Sequence, residues 1–205
     1  NNLTISSGDG SLNNPYVINQ KKKVNYIDSY VKLGNDIWKV YNNTNNVLKM
    51  YLNGYLNVGG VELTRNYSKS ASKFDISNKN NIGYYLNTTY LKSLPYSNYL
   101  IDNNFYTGEL STDTGYEYKN IYTDRVTCRV GLLNIFDYVS NNSFNDYFHM
   151  NTTYGAGSIQ YSTNSNGLLE EADVTDLKHV VPVVSINSAL IKSGDGTLNN
   201  PYVLE

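Results

Sequence analysis

Apolar and polar residues alternate along residues 29–56, SYVKLGNDIWKVYNNTNNVLKMYLNGYL, on both sides of an asparagine-rich break at residues 42–46. Alternation with a period of two places one face of an extended chain in the core and the other in water, so it predicts strands. A polar break between two such stretches indicates a turn. The segment therefore predicts a β-hairpin, and Trp38, the only tryptophan, is interpreted as a core anchor rather than a stacking platform.

Two short segments show helical spacing instead. In residues 86–94, LNTTYLKSL, the large apolar side chains recur three to five positions apart, Asn87 is a candidate N-cap, and Pro95 follows as a stop. In residues 134–139, Asn134 is a candidate cap in front of IFDYV. The sequence therefore predicts two short helices in a chain that otherwise favours strands, which is an α+β domain with more strand than helix.

Four further strands are predicted from apolar and aromatic runs. They cover residues 99–110, 119–132, 147–150 and 180–186. Pro182 interrupts the last run and is expected at a bulge or an edge, because proline cannot donate to a strand ladder. Residues 59–81 lack a clear period and predict mostly loop. Residues 151–167 are rich in Gly, Ser, Thr and Asn and predict long exposed loops.

One twelve-residue segment occurs twice in almost the same form. Residues 7–18 read SGDGSLNNPYVI and residues 193–204 read SGDGTLNNPYVL. Gly-Asp-Gly favours turns with positive φ, Asn-Asn-Pro stops a helix, and Tyr-Val-Ile/Leu favours a strand. Each copy is therefore predicted to form a hairpin-like closing element. The alternating polar residues faintly resemble a calcium loop, but the glycine and the bidentate glutamate of such a loop are missing, so no calcium is expected.

The spacing of the two copies predicts the domain organisation. Equivalent positions lie 186 residues apart, which is the size of one domain and not of a solenoid repeat. We interpret residues 1–19 as the tail of a preceding repeat unit, residues 20–28 as a linker, and residues 29–205 as a module with its own closing tail at residues 193–205. Exposed strands in the tails are expected to join neighbouring copies. The candidate junction or assembly residues are Tyr16, Val17, Tyr202 and Val203, of which the last two are expected to be buried if the tail closes its own sheet.

Composition and charge limit the classes of partner that the chain is expected to bind. The formal net charge is -2, and the lysines and arginines are dispersed outside residues 21–23. Neither nucleic acid nor an anionic membrane surface is therefore expected as a partner. No apolar run approaches the length of a membrane-spanning helix, so no membrane insertion by this segment is expected. The 21 tyrosines and the abundant asparagine are typical of an AT-rich genome.

Residues that carry chemistry are sparse. Cys128, the only cysteine, stands among valines and a leucine and is interpreted as a buried hydrophobe rather than a catalytic thiol. His149 and His179 lie beside apolar strands, and the chain contains none of the common hydrolase, zinc-protease, phosphate-loop or dinucleotide motifs. The acidic residues within 170–176 are interpreted as a solvated loop rather than a metal or acid/base site. The sequence therefore predicts no enzyme activity, no metal site and no cofactor.

Residues 147–176 favour a binding function instead, because they combine aromatic faces with amide groups that recognise sugars or peptides. The candidate ligand-binding residues are Tyr147, His149, Tyr154, Tyr161, Asn164 and Asn166. The ligand is predicted to be a carbohydrate or a surface protein. The alternative is a purely structural repeat of a stalk, pilus or fibre that assembles with neighbouring copies through its terminal strands. The repeated segment favours the structural function, and the aromatic loops favour ligand binding.

Four stretches, taken in their order and spacing, resemble a bacterial surface-protein domain of unknown function that carries a WWLRSP-type strand and a closing Arg-Pro-Val strand. They are LGNDIWKV at 33–40, YLNTTYLKSL at 85–94, RVGLLNIFDYVS at 129–140 and VVPVVSINSALIKSGDGTLNNPYVL at 180–204. The resemblance covers most of residues 29–205. The chain departs from the family where YFHM at 147–150 replaces WWLR and where Val181 replaces the arginine before Pro182, so the roles of those family residues do not carry over.

The resemblance implies a C-type-lectin-like fold, in which a twisted antiparallel sheet packs beside two short helices and long loops carry the ligand site. It also implies an extracellular location, on the cell surface or on a surface appendage. The sugar motifs of calcium-dependent lectins, Glu-Pro-Asn and Trp-Asn-Asp, are absent from the chain. A metal-free site is therefore expected.

Overall fold

A computed structural model describes most of the chain. The described residues are 3–20, 24–111, 117–119, 124–139, 149–154, 157, 159–164, 166 and 168–204. Strands dominate them, and the helices are few and short. This confirms the predicted α+β class with more strand than helix.

The strands are numbered in chain order. They are β1 (Leu3–Ser7), β2 (Val17–Gln20), β3 (Tyr30–Leu33), β4 (Asp36–Thr44), β5 (Val47–Leu52), β6 (Asn57–Val58), β7 (Val61–Glu62), β8 (Thr64–Asn66), β9 (Asn103–Tyr106), β10 (Glu109–Ser111), β11 (Glu117–Lys119), β12 (Arg125–Cys128), β13 (Val130–Leu132), β14 (His149–Tyr154), β15 (Ile159–Thr163), β16 (Leu169–Asp173), β17 (Leu177–His179), β18 (Pro182–Asn187), β19 (Ile191–Ser193) and β20 (Tyr202–Leu204). The helices are α1 (Ile82–Tyr85), α2 (Leu91–Ser93) and α3 (Ile135–Val139). Two short 3₁₀ turns cover Ser97–Tyr99 and Ser188–Leu190.

A seven-stranded sheet contains most of the core. Its strand order is β13-β18-β5-β4-β3-β20-β19, and all of its pairings are antiparallel except the parallel pair β20–β3. Trp38, Leu48, Met50 and Ile186 are fully buried in this sheet. Trp38 meets the ring of Tyr96 edge to face with centroids 6.4 Å apart, so the prediction that Trp38 is a core anchor is confirmed.

The predicted hairpin in residues 29–56 is confirmed, but its turn is tighter than the five-residue break. The strands β4 and β5 extend to Thr44 and Val47. Asn45 and Asn46 alone form the turn, with φ of 52° and 64°. Asparagine tolerates this left-handed conformation, and two such residues form the turn whose twist matches a hairpin.

The first predicted helix is longer than expected and has a different cap. Helices α1 and α2 are joined by a π-helical segment, Leu86–Tyr90, into one helical stretch that ends before Pro95. Asn81 is the cap, because its Oδ1 accepts from the backbone N–H of Gly83. The prediction that Asn87 caps the helix is wrong. Asn87 lies inside the π-helical segment, where its amide donates to Val130 O at 2.7 Å and accepts from Val130 N at 3.1 Å.

The second predicted helix is confirmed together with its cap. Helix α3 begins at Ile135, and Asn134 Oδ1 accepts from the backbone N–H groups of Phe136 and Asp137 at 2.9 Å each. Asparagine oxygen satisfies two N–H groups that have no partner inside the helix. The local sequence therefore determines where this helix begins.

A second sheet occupies part of the region that we predicted to form long exposed loops. Its order is β11-β10-β14-β15-β16. The loop prediction for residues 151–167 is wrong, because β14 and β15 form a hairpin there and Gln160, Ser162 and Thr163 are buried. The acidic segment predicted as a loop partly forms β16. Because several buried residues of β15 are polar, the sequence there lacks the alternation of apolar and polar residues from which a strand is predicted.

The last apolar run forms a central strand, as predicted. Strand β18 pairs with β13 on one side and with β5 on the other. The expectation that Pro182 marks a bulge or an edge is wrong, because Pro182 is the first residue of this central strand. Proline is tolerated at a strand's first residue.

The remaining predictions are confirmed in part. Residues 59–81 contain only the short strands β7 and β8. The predicted strand at 99–110 forms β9 and part of β10, and the one at 119–132 contains β12 and β13 but is interrupted at Arg129. Residues 147 and 148 lie outside the described residues, whereas 149 and 150 begin β14. In the described part of the chain, no helix is both long enough and apolar enough to cross a membrane.

Candidate functional site

Three of the six predicted ligand residues lie in or before β14. Tyr147 is outside the described residues, and the backbones of His149 and Tyr154 lie in β14. Tyr161 lies in β15, where its ring is buried and its hydroxyl donates to Glu171 Oε1 at 3.4 Å. A buried ring offers no face to a ligand. Tyr161 therefore packs the second sheet and is not part of an exposed platform.

The two predicted asparagines belong to the loop between β15 and β16. Asn164 Oδ1 accepts from the backbone N–H groups of Asn166 and Leu168 at 2.9 and 3.1 Å. This carboxamide oxygen therefore closes the loop, as asparagine commonly does in turns. Asn166 is exposed. The structure thus gives Asn164 a local structural role and leaves the amide of Asn166 at the surface.

The acidic residues of β16 and the following turn bind neighbours in the protein. Glu170 pairs with Lys178 at 2.5 Å, and Asp173 accepts from the hydroxyl and the backbone N–H of Thr175. These hydrogen bonds hold the pKa of Asp173 below its usual value. Within the described ranges, no group of three or more His, Cys, Asp and Glu side chains converges as a metal site would require.

A buried polar cluster joins α3 to the large sheet, and sequence reasoning missed it. Lys49 Nζ donates to Asn104 O at 2.9 Å and lies 5.2 Å from the centre of the Phe105 ring. Tyr41 OH donates to Asp137 Oδ2 at 3.5 Å. Burial is the largest influence on both charged groups: it lowers the pKa of Lys49 and raises the pKa of Asp137. The lysine and the carboxylate favour each other's charged form, so the cluster holds the helix on the sheet.

Cys128 is buried, as predicted. Desolvation of the thiolate is the largest cause that raises the pKa of this thiol to about 12. A thiol with such a pKa is neutral at pH 7, and the neutral form is a poor nucleophile. The side chain therefore behaves as a small hydrophobe.

The two copies of the repeated segment form the same structure. We call residues 3–20, with β1 and β2, the N-terminal hairpin, and residues 191–204, with β19 and β20, the C-terminal hairpin. Their loops share five hydrogen bonds between equivalent atoms. In the N-terminal loop these are Asp9 N and Gly10 N to Asn14 O, Asn14 N to Ser11 O and to Ser11 Oγ, and Ser11 N to Asp9 Oδ1. In the C-terminal loop they are Asp195 N and Gly196 N to Asn200 O, Asn200 N to Thr197 O and to Thr197 Oγ1, and Thr197 N to Asp195 Oδ1.

The C-terminal hairpin docks on the module. Strand β20 pairs in parallel with β3, and Tyr30 N donates to Gly196 O at 2.8 Å. The ring of Tyr202 meets Tyr26 edge to face with centroids 5.4 Å apart. We call the edge of β3, together with Tyr26 and Ser29, the receptor edge. Tyr202 is half-buried there, whereas Val203 is 41% exposed, so the expectation that both are buried holds for neither side chain in full.

The receptor edge reaches into the segment predicted as a linker. Asp28 N donates to Val40 O at 2.9 Å, and Ser29 N donates to Tyr26 O at 3.1 Å. Tyr26 packs against the core from a partly buried position. The last residues before β3 are therefore attached to the large sheet and help to hold the hairpin.

The N-terminal hairpin has no such partner in the described part of the chain. Strand β2 pairs with β1 alone, so its other edge, which corresponds to the β3-facing edge of β20, stays open. Its apolar side chains are exposed: Ile5 is 61%, Leu12 100%, Tyr16 54% and Val17 50% accessible. The same hairpin therefore occurs once docked and once with its docking edge free.

Two surface pockets lined by described residues are further candidate sites. One, of about 300 Å³, lies where β20 ends beside β3 and is lined by Lys32, Leu33, Gly34, Tyr96, Tyr99, Val203 and Leu204. The other, of about 250 Å³, carries three basic side chains, Arg65, Lys69 and Lys79. Arg65 lies over the ring of Tyr85 at 4.1 Å. The first pocket continues the receptor edge, and the second is polar and positively charged.

Comparison of the chain with protein-family models, with curated proteins and with solved structures finds no match. The family that the sequence resembles therefore stays a prediction. What the chain does has to be argued from its own residues.

Proposed function

We propose that the chain is a non-enzymatic repeat unit of a modular, extracellular bacterial surface protein, in which it builds a stalk, pilus or fibre. Successive units are closed and joined by the N-terminal and C-terminal hairpins, which we call the GDG hairpins after residues 8–10 and 194–196. The observation that carries this proposal is the duplicated hairpin, which is docked on the receptor edge at residues 191–204 and undocked at residues 3–20.

The surroundings of several polar side chains and of the cysteine support a structural function rather than a catalytic one. Tyr41 and Asp137 tie helix α3 to the sheet, Cys128 is enclosed in the core, and Asn164 closes a loop. Each of these side chains has a structural partner that explains its position. In contrast, the apolar side chains of Ile5, Leu12, Tyr16 and Val17 in the N-terminal hairpin are exposed. Exposed apolar surface of this kind marks contact with another protein segment.

We further propose a C-type-lectin-like fold for residues 29–205. Two helical elements lie beside a largely antiparallel sheet, as the resemblance implies, and Asn87 of the first element bonds to Val130 of β13. The first and last parts of the module are neighbours in that sheet, because β3 pairs with β20. A module closed in this way has its entry and exit at one place, which suits a chain of repeated units.

Ligand binding is the second candidate function, and the basic pocket favours it. Arg65, Lys69 and Lys79 would attract a carbohydrate or peptide with acidic groups. The neighbouring amides of Asn66 and Asn80 line the same pocket and would add hydrogen bonds. This site differs from the one predicted at residues 147–166.

The architectural proposal is tested with a two-unit chain in which Leu204 is followed directly by Asn19 of a second copy. The two units then share one hairpin. We expect a monomer that is clearly longer than the single chain in small-angle X-ray scattering and that melts at no lower temperature, because the shared hairpin docks on the first unit. The matched control replaces the shared hairpin by a Gly/Ser linker of equal length, and its first unit should melt earlier. A shared-hairpin chain that aggregates, or that is no more stable than the control, would contradict the proposal.

A further inference from the structure

We infer that the receptor edge is a binding site for the GDG hairpin as such, and that the N-terminal hairpin is a second ligand for it, which binds the receptor edge of another copy of the chain. The inference rests on the proposed function and names the partner and the contacts at its junctions. A junction between units would then be a recognition event between a hairpin and an edge, and not only a covalent connection.

The receptor edge contacts the docked hairpin mainly through backbone and ring contacts. Tyr202 and Val203 are opposite Val31 and Lys32 in the parallel pair. The amide of Tyr30 donates to the carbonyl of Gly196 at 2.8 Å. Addition of a strand to a sheet edge obtains affinity from such main-chain hydrogen bonds and specificity from a few side chains. Here the specific side chain is Tyr202, which meets Tyr26.

A glycine makes the close approach to the edge feasible. A Cβ at Gly196 would lie 2.8 Å from Cβ of Ser29 and 2.5 Å from Cε2 of Tyr202, and φ there is +81°. Only glycine fits both the space and the backbone conformation. In the N-terminal hairpin Gly10 has φ +83°, and a Cβ there would lie 2.7 Å from the ring of Tyr16. The N-terminal hairpin therefore presents the same compact face.

The N-terminal hairpin has identical counterparts of Gly196, Tyr202 and Val203, which make these contacts, and of the neighbouring Ile191 and Pro201. Ile5, Gly10, Pro15, Tyr16 and Val17 correspond to Ile191, Gly196, Pro201, Tyr202 and Val203. Within the twelve-residue segment the copies differ only by serine against threonine and isoleucine against leucine. Both changes keep the polarity of the residue and alter its size by one methyl group at most. The contacts that Gly196, Tyr202 and Val203 make with the receptor edge can therefore be repeated by Gly10, Tyr16 and Val17.

The connection within one chain leads us to expect little exchange of hairpins between wild-type molecules. The C-terminal hairpin is joined to its receptor edge by the same chain, which gives it a high effective concentration. A hairpin from another molecule competes only when the resident hairpin is weakened. The open edge of β2 and the exposed Tyr16 and Val17 are then free to take its place.

The test mixes two full-length variants of the chain. The acceptor carries Gly10→Ala and Gly196→Ala, so its receptor edge is vacated and its own N-terminal hairpin is defective. The donor is the wild-type chain. We expect each to be monomeric alone and to form a 1:1 complex when mixed, measured by sedimentation velocity. The matched control donor carries Gly10→Ala alone and should form no complex with the acceptor.

Every outcome bears on the inference. A folded acceptor that binds neither donor overturns it, and so does equal binding of both donors. If the acceptor is unfolded by circular dichroism, the wild-type donor should restore its structure, because a ligand of the native state stabilises that state. Failure to restore it also overturns the inference. If the acceptor and donor form a complex but the two-unit chain misassembles, the inferred recognition of the hairpin is supported and the proposed array of repeat units is contradicted. If the two-unit chain is stable but no complex forms, the array is supported and the inferred recognition is contradicted.

Discussion

The two hairpins are almost identical in sequence and have the same backbone conformation, yet their surroundings differ. Gly8 and Gly194 have φ of 94° and 93°, and Gly10 and Gly196 have 83° and 81°. Equivalent loop hydrogen bonds differ by no more than about 0.1 Å. In the part of the chain that the structure describes, however, only the C-terminal hairpin pairs with a third strand. The comparison therefore separates what a local sequence determines, which is the hairpin, from what the module adds, which is burial of one edge.

The local part of this comparison has a clear physical origin. Glycines at positive φ and side-chain oxygens that accept from backbone N–H groups two or three residues later form a turn without help from distant residues. The tertiary part depends on the contacts of the C-terminal hairpin with Tyr26, Ser29 and β3. Changes made at equivalent positions should therefore affect the module at one end and leave it unaffected at the other.

The largest difference is expected from removing each hairpin. A chain that ends at Lys192 loses the half-buried Tyr202 and Leu204 and the pairing of β20 with β3. At about 1 kcal/mol for each half-buried apolar side chain, plus the lost strand hydrogen bonds, the free energy of unfolding should fall by about 3 kcal/mol. The melting temperature should then fall by roughly 10 °C, measured by circular dichroism.

A chain that begins at Val24 is the matched control, because it lacks the undocked hairpin. Its free energy of unfolding should stay within about 0.5 kcal/mol of the full chain. The opposite ranking of the two truncations would show that residues 29–205 are not the stable module. Equal losses would show that the N-terminal hairpin also docks on the module.

The distinction between local structure and tertiary contacts also explains how much of the fold could be predicted from sequence. The hairpin at β4 and β5, the cap at Asn134 and both GDG hairpins follow from local patterns, and all have the predicted structure. The strand β15 could not be predicted, because three of its buried residues, Gln160, Ser162 and Thr163, are polar and the strand pairs with other strands. Pairings between distant segments leave no local pattern, which is why the place of β20 beside β3 was not specified either.

The second difference is expected at one aromatic position. Tyr202→Ala removes an edge-to-face contact with Tyr26 and a half-buried ring, so the free energy of unfolding should fall by about 2 kcal/mol. Tyr16→Ala removes the equivalent ring where it is exposed, and the module should change by less than about 0.5 kcal/mol in urea unfolding. Similar losses for both variants would place Tyr16 against the module and remove the contrast between the hairpins.

The candidate site was less predictable than the fold for a related reason. Aromatic and amide residues at 147–166 suggested a binding surface, but Tyr161 packs inside a sheet and Asn164 closes a turn. Composition reveals which groups are present, not which of them already have partners. The basic pocket combines Arg65 of β8 with Lys69 and Lys79 from the segment that joins β8 to α1, and their order in the chain does not reveal that these side chains line one pocket.

The smallest difference is expected at the two loop aspartates. The pKa values of both carboxyl groups are held below the ordinary value of 3.8: at Asp9 chiefly by the Ser11 hydroxyl, and at Asp195 chiefly by the backbone N–H of Thr197. A carboxyl group whose pKa is lower in the folded state stabilises that state above its unfolded pKa, and this stabilisation is lost as the pH falls through the folded pKa. Titration followed by carbon NMR of the carboxyl groups should therefore give two similar midpoints, both below 3.8.

Only Asp195 should couple this titration to the module. Between the folded pKa and 3.8, acid should lower the melting temperature of the wild-type chain slightly more than that of Asp195→Asn, because the amide oxygen of asparagine still accepts hydrogen bonds but does not titrate. Asp9→Asn, the matched control, should follow the wild-type acid profile, because its loop belongs to the undocked hairpin. A depressed midpoint at Asp195 together with an ordinary midpoint at Asp9 would mean that the loop needs the receptor edge in order to form. The hairpin would then be a product of docking, and the separation of local from tertiary structure on which the comparison rests would fail.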